Sequence, residues 1–222
     1  MCIRDRFLSK LTQIHFLSRI YLLKKTLPQK YLQILENLLL KKTITIDECR
    51  EYEEKVVKGF KVNQNFRAET IKKYPALLAY SKLMLYYLWR ENLFNKPLQE
   101  RIKHLDKKRI VDLQSKLLSN PSDITILSTY AVNFLYLVKR FFPKHNRWNP
   151  EKLFELIKTG ENSKIPDKQK AILKAYAITH IIICESDFYS KEIKNKKRLL
   201  PMLKFVEELL KKNFLPFHWI LN

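Results

Sequence analysis

Only two glycines, Gly59 and Gly160, serve the whole chain of 222 residues. Glycine adopts positive φ without steric cost, so its scarcity bears on every fold built on such backbone. Phosphate-cradling loops, dinucleotide-binding turns and hairpin-rich β architectures all depend on it. The chain is therefore read away from those folds. Its apolar share of 46% is that of a chain with a packed core, not of a disordered one. No segment alternates apolar and polar residues with period two, so no sheet is expected.

What remains is helix after helix. Proline is tolerated in a first helical turn, where no intrahelical N–H bond is lost. Pro75, Pro97, Pro121, Pro150, Pro166 and Pro201 each open an amphipathic stretch, and Asn120 and Asn149 place a capping side chain before two of them. Thr45-Ile46-Asp47-Glu48 reads as a capping box with Thr45 at N-cap and Glu48 at N3. Pro143 and Gly160 read as stops. The pattern predicts helices over 8–25, 29–42, 46–58, 75–91, 97–118, 121–141, 150–158, 166–185 and 198–212.

A weak internal repeat organises these helices. Ala76-Leu77-Leu78-Ala79-Tyr80 aligns with Ile126-Leu127-Ser128-Thr129-Tyr130 and with Ile172-Leu173-Lys174-Ala175-Tyr176, the tyrosines being 50 and 46 residues apart. Leu85, Leu135 and Ile181 follow them by five. A period of that size, a long apolar helix followed by a more charged one, fits a helical-hairpin repeat. One hairpin cannot bury its apolar face alone, so neighbours must stack. The expected fold is all-α, with stacked helical hairpins forming a curved solenoid or an α/α toroid-like array. In either form the tyrosine helices make the inner layer, and Tyr80, Tyr130, Tyr176, Cys184 and Tyr189 are expected to line its pocket.

The third copy departs from the other two. Where they carry Met84 and Phe134 it carries His180, followed by Cys184, Glu185, Ser186, Asp187 and Phe188. His180 and Asp187 are candidates for an acid–base pair at a pocket mouth. His180 and Cys184, four apart on one helix face, have the spacing of two metal ligands, yet no second paired motif completes a site, so no metal is assigned. The alternative gives Thr179 and His180 to backbone, Cys184 to packing and Asp187 to a turn cap. His218 near the C-terminus is a candidate neighbour of His180, with a buried aromatic anchor as the alternative.

The segment Ala175-Tyr176-Ala177-Ile178-Thr179-His180 through Ser186-Asp187-Phe188 resembles an uncharacterised bacterial all-helical family. Its members carry a Thr-His pair and then a Ser/Thr-Asp-aromatic-Gly tetrad; here Tyr189 stands where the glycine would be. The resemblance covers some 15 residues. It implies an α/α-ring-like fold and a site near His180, and no particular reaction or cofactor.

Charge adds a third line. Lys and Arg number 43 against 22 Asp and Glu, a formal net charge of +21. Such a chain attracts anionic surfaces at low salt. Lys139, Arg140, Lys144 and Arg147 interleave with Phe141, Phe142 and Trp148, a mixture able to stack on and neutralise single-stranded nucleic acid. The alternative is a helix end and solvated loop with the three aromatics turned into the core. Part of the basic excess is lysine-rich composition of the kind an AT-rich genome produces, since only 11 of the 43 are Arg.

Met1-Cys2-Ile3-Arg4-Asp5-Arg6 resembles the translation of a transposase adapter used in sequencing libraries, so residues 1–6 are set aside as an artefact. Residues 7–222 are read as a single helical-repeat domain truncated at its N-terminus, and the C-terminus is read as open too, because Asn222 follows an apolar run. Cys49 and Cys184 make no disulfide framework, and a cytoplasmic location is the default expectation. No stretch reaches the roughly 20 apolar residues of a membrane span. The leading functional expectation is a helical-repeat binding or scaffold protein, its partner a protein or small molecule held on a concave inner face. The alternatives are an enzyme with a pocket around His180 and Asp187, and a nucleic-acid-binding protein.

Overall fold

A computed structural model describes residues 10–41, 43–96, 105–161 and 165–214. Among them lie eleven α-helices and no strand. They are α1 (Lys10–Lys24), α2 (Gln29–Glu36), α3 (Ile46–Asn63), α4 (Asn65–Ile71), α5 (Leu77–Phe94), α6 (Lys107–Leu118), α7 (Pro121–Leu127), α8 (Thr129–Phe141), α9 (Pro150–Thr159), α10 (Asp167–Glu185) and α11 (Leu200–Phe214). A π-helical turn, Asn37–Lys41, prolongs α2. No described helix is long and apolar enough to cross a membrane.

Local signals account for most of the boundaries. The Thr45 hydroxyl accepts the Glu48 N–H at 3.2 Å while the Glu48 carboxylate accepts the Thr45 N–H at 3.1 Å, a complete capping box. A cap of this kind contributes about 1 kcal/mol. Asn149 accepts the Lys152 N–H at 2.8 Å, with Pro150 in the first turn. Asn120 departs from expectation: its amide donates backwards to the Lys116 carbonyl at 2.7 Å and does not cap α7. Asp106 caps α6 through the Arg109 N–H, so that helix begins at Lys107; residues 97–104 of the longer helix expected there lie outside the described residues. Residues 1–6 and His218 lie outside them as well.

Two departures have tertiary causes. The helix expected over 121–141 breaks at Ser128, whose φ is 52° and ψ −120°. Its hydroxyl donates to the Leu173 carbonyl of α10 at 2.8 Å, which holds the break. The second is α4, which the sequence pattern does not predict. Its Arg67 stacks over the Phe60 and Tyr130 rings, 4.5 and 5.3 Å from their centroids, and donates to the Leu127 carbonyl at 3.1 Å.

Helix α5 is the centre of the core. From Leu77 to Arg90 every residue except Lys82 is buried. Full burial of each large apolar side chain contributes roughly 1.5–3 kcal/mol, so a helix apolar on all sides is stable only when surrounded. It packs against α1, α3 and α8, and α8 packs in turn against α10. The tyrosine-bearing helices α5, α8 and α10 thus stand in sequence, with α8 in the middle. The tyrosines themselves differ in surroundings: Tyr80 is 4% exposed, Tyr130 half-buried and Tyr176 58% exposed.

Candidate functional site

A cavity of about 260 Å³ opens where α1, α3, α5, α8 and α10 meet. Helix α1 contributes Thr12, His15 and Arg19, and α3 contributes Tyr52. Leu78, Ser81, Lys82 and Leu85 come from α5, Thr129, Tyr130 and Asn133 from α8, and His180 from α10. None of these side chains is acidic.

Lys82 is the most exceptional of them. It is the one residue of the buried stretch of α5 that is not fully enclosed, because its side chain reaches the cavity. Its ammonium lies 4.7 Å from the centroid of the Tyr52 ring, a cation–π contact. Among the described residues it has no carboxylate or hydrogen-bond partner. Burial, which penalises the charged form, lowers its pKa to about 8.

Arg19 is the second cation. It donates to the Tyr189 hydroxyl at 2.7 Å, lies 5.3 Å from that ring's centroid, and approaches His15 Nε2 at 3.4 Å. It too has no carboxylate partner among the described residues.

The two histidines are neutral near pH 7. Burial first, and then Lys82, Arg19 and His180, lower the His15 pKa to about 3. Burial and then Arg19 lower that of His180 to about 4. His180 Nδ1 lies 2.9 Å from Asn133 Oδ1. A carbonyl oxygen only accepts, so Nδ1 carries the proton and Nε2 holds a lone pair with no protein partner among the described residues.

The structure distributes the other expected site residues unevenly. Tyr130 lines this cavity; Tyr80 and Tyr176 do not, the one being packed in the core and the other facing outward. Their positions align in the sequence, but the helices present different positions to the cavity: Lys82 follows its tyrosine by two residues, Asn133 by three and His180 by four. Cys184 is wholly buried behind Asn133, its sulfur 3.8 Å from Oδ1. Burial raises its pKa well above the ordinary thiol value. Among the described residues no three His, Cys, Asp or Glu side chains gather as metal ligands would.

Asp187 does not pair with His180. It accepts the Tyr136 hydroxyl at 2.7 Å and pairs with Arg140 at 3.3 Å and Lys191 at 2.8 Å. Asp187, Phe188 and Tyr189 run at φ values of 50°, 55° and 73°, three successive left-handed residues that end α10. Tyr189, where the family resemblance calls for glycine, thus has glycine-like backbone, and it is this turn that presents its hydroxyl to Arg19.

Two of the four basic residues of the run, Lys139 and Arg140, are engaged within the chain. Arg140 pairs with Glu91 at 2.7 Å as well as with Asp187, and Lys139 approaches Glu185 at 4.0 Å. Glu185 also accepts the Trp148 indole N–H at 2.8 Å and pairs with Arg198. Lys144 and Arg147 are exposed, but Phe141, Phe142 and Trp148 are buried and present no faces for base stacking.

Sequence pattern alone does not single out Lys82, Arg19, His15 or Asn133. One signal is present: a lone lysine inside the apolar run from Leu77 to Trp89. Comparison with known proteins finds no matching family model, no significantly similar curated protein and no significantly similar solved structure.

Proposed function

We propose that this chain is a helical-repeat binding protein whose ligand is a small anion held in the cavity between α1, α3, α5, α8 and α10. The observation that carries this reading is the Lys82 ammonium, which reaches the cavity without any anionic partner among the described residues. A partly desolvated cation is costly unless a counter-charge approaches it. A carboxylate or phosphate on the ligand supplies that charge, and Arg19 offers a planar fork beside it. Neutral His15 and His180 add polar groups without adding charge. The volume of about 260 Å³ accommodates a ligand of about ten heavy atoms, and so admits small carboxylates and phosphates.

In this reading α5, α8 and α10 form the inner layer of a curved array of stacked hairpins, closed far enough to bound the cavity. The packing of α8 against both α5 and α10, and of α11 against α10, supports that arrangement. The enzyme alternative uses the same cavity, with His180 kept and Asp187 serving the Tyr136–Arg140–Lys191 cluster. The test is calorimetric titration of the protein with inorganic phosphate and with acetate and succinate at low salt. Wild type is expected to bind at least one of these, and Lys82→Met to bind it tenfold or more weakly. No binding of any of the three, or equal affinity in Lys82→Met, would overturn the reading.

A further inference from the structure

We propose that Lys82 is a nucleophilic amine that forms an imine with the carbonyl carbon of a small oxo acid bound in this cavity. The proposal rests on the anion-binding reading above and names its substrate class. Three observations carry it.

The first is placement. An attacking lysine needs its nitrogen lone pair unengaged and its surroundings poorly hydrated. Lys82 leaves a helix that is otherwise buried from Leu77 to Arg90, and Tyr52, Leu78 and Leu85 wall its path. Its ammonium has no hydrogen-bond acceptor or carboxylate partner among the described residues, and the Tyr52 face at 4.7 Å is a weaker hold on the charged form. The lowered pKa agrees with this: a pKa of about 8 leaves roughly a quarter of the amine neutral at pH 7.5, against about a thousandth for a freely exposed lysine.

The second is the neighbouring guanidinium. An oxo acid carries a carboxylate one bond from its carbonyl, so it needs a fixed cation beside the amine. Arg19 lines the same cavity and has no carboxylate partner among the described residues. Its hydrogen bond to Tyr189 and its approach to His15 use two of five N–H groups and leave three for a ligand.

The third is a proton carrier. The amine nitrogen attacks the carbonyl carbon, a C–N bond forms, and the C=O π pair moves to oxygen. One proton passes from nitrogen to that oxygen, giving a carbinolamine. The C–O bond then breaks, the oxygen leaves with a second proton as water, and a C=N bond remains. The sum is amine plus carbonyl giving imine plus water, with no redox change. His180 Nε2, a lone pair on the wall of the same cavity, is assigned the relay of each proton from nitrogen to the oxygen.

The experiment uses the full chain with glyoxylate, the smallest oxo acid, and cyanoborohydride to reduce any imine to a stable secondary amine. Peptide mass mapping over time compares Lys82 with exposed Lys144. Lys82 is expected to be modified at least tenfold faster. Equal or slower modification of Lys82 would overturn the proposal, and this comparison needs no variant. In Arg19→Gln the rate at Lys82 should fall tenfold with glyoxylate and stay within twofold with acetaldehyde, which has no carboxylate. An equal fall with both aldehydes would remove Arg19 from the substrate site. Phosphate titration of the same wild-type sample separates the two readings. Phosphate binding without selective modification overturns the imine alone, and absence of modification together with no binding of phosphate, acetate or succinate overturns the anion site with it.

Discussion

His15 and His180 line one wall region of the cavity and share one electrostatic condition. Each has a folded-state pKa below the ordinary imidazole value of 6.5, about 3 for His15 and about 4 for His180. Between those values and about 6.5 the unfolded chain binds protons that the folded chain does not. Stability therefore rises with pH through that window and is lost on acidification. At pH 5 each histidine is expected to cost about 1–2 kcal/mol relative to pH 7. Urea unfolding at the two pH values checks this, and His15→Phe should flatten the dependence. A variant with the wild-type slope would mean that His15 is hydrated and titrates normally. Tyr189 belongs to the same region for a different reason. It occupies backbone that suits glycine, at φ 73°, and its hydroxyl receives Arg19. Such strain costs of order 1 kcal/mol and persists only where surrounding contacts impose it. Here those contacts are the ones that position a cavity cation.

Gly59 lies within a helix and Gly160 just past the end of one, and their surroundings differ so that one substitution should have opposite signs. Gly59 lies inside α3, and a β-carbon there would meet nothing within 4 Å. Gly59→Ala is expected to stabilise by about 0.5–1 kcal/mol, because glycine loses more backbone entropy than alanine in a helix. Gly160 ends α9, and a β-carbon there would lie 2.9 Å from the Leu156 carbonyl and from the Thr125 hydroxyl. Gly160→Ala is expected to destabilise by about 1–3 kcal/mol through that overlap. Paired thermal melts measure both, and a shared sign would contradict the account. Gly160 is thus retained for closeness between α9 and α7, with φ at an ordinary −59°. Positive φ is carried elsewhere, at non-glycine residues such as Ala76, Ser128 and Asp187. Each of these has a tertiary hold: the Glu53 carboxylate accepts the Ala76 N–H at 3.1 Å, Ser128 bonds α10, and Asp187 sits among Tyr136, Arg140 and Lys191.

For the molecule as a whole the governing quantity is its net charge of +21. Like charges at that density repel, and compaction brings them closer. Salt screens them, with a Debye length of about 30 Å at 0.01 M and about 8 Å at 0.15 M. The thermal midpoint is therefore expected to rise by several degrees over that range. Calorimetry at the two ionic strengths checks it; a fall would show that surface ion pairs outweigh the repulsion. The ion pairs about Asp187 and Glu185 are too enclosed to be screened strongly, their carboxylates being 4% and 9% exposed.

Local chemistry is legible in the amino-acid sequence by itself. The Thr45–Glu48 capping box, the Asn149–Pro150 start and the all-helical class follow from interactions spanning a few residues, which a linear string displays directly. His180 is visible there too, because it replaces an apolar residue in an aligned series. The cavity is not. Its walls come from five helices far apart in sequence, and whether Lys82, Arg19 and Asn133 meet depends on how each helix is rotated about its axis. A rotation of one residue, about 100°, separates a cavity position from a core or solvent position. That angle is set by packing over the entire core, as the buried Tyr80 and exposed Tyr176 demonstrate from matching sequence positions.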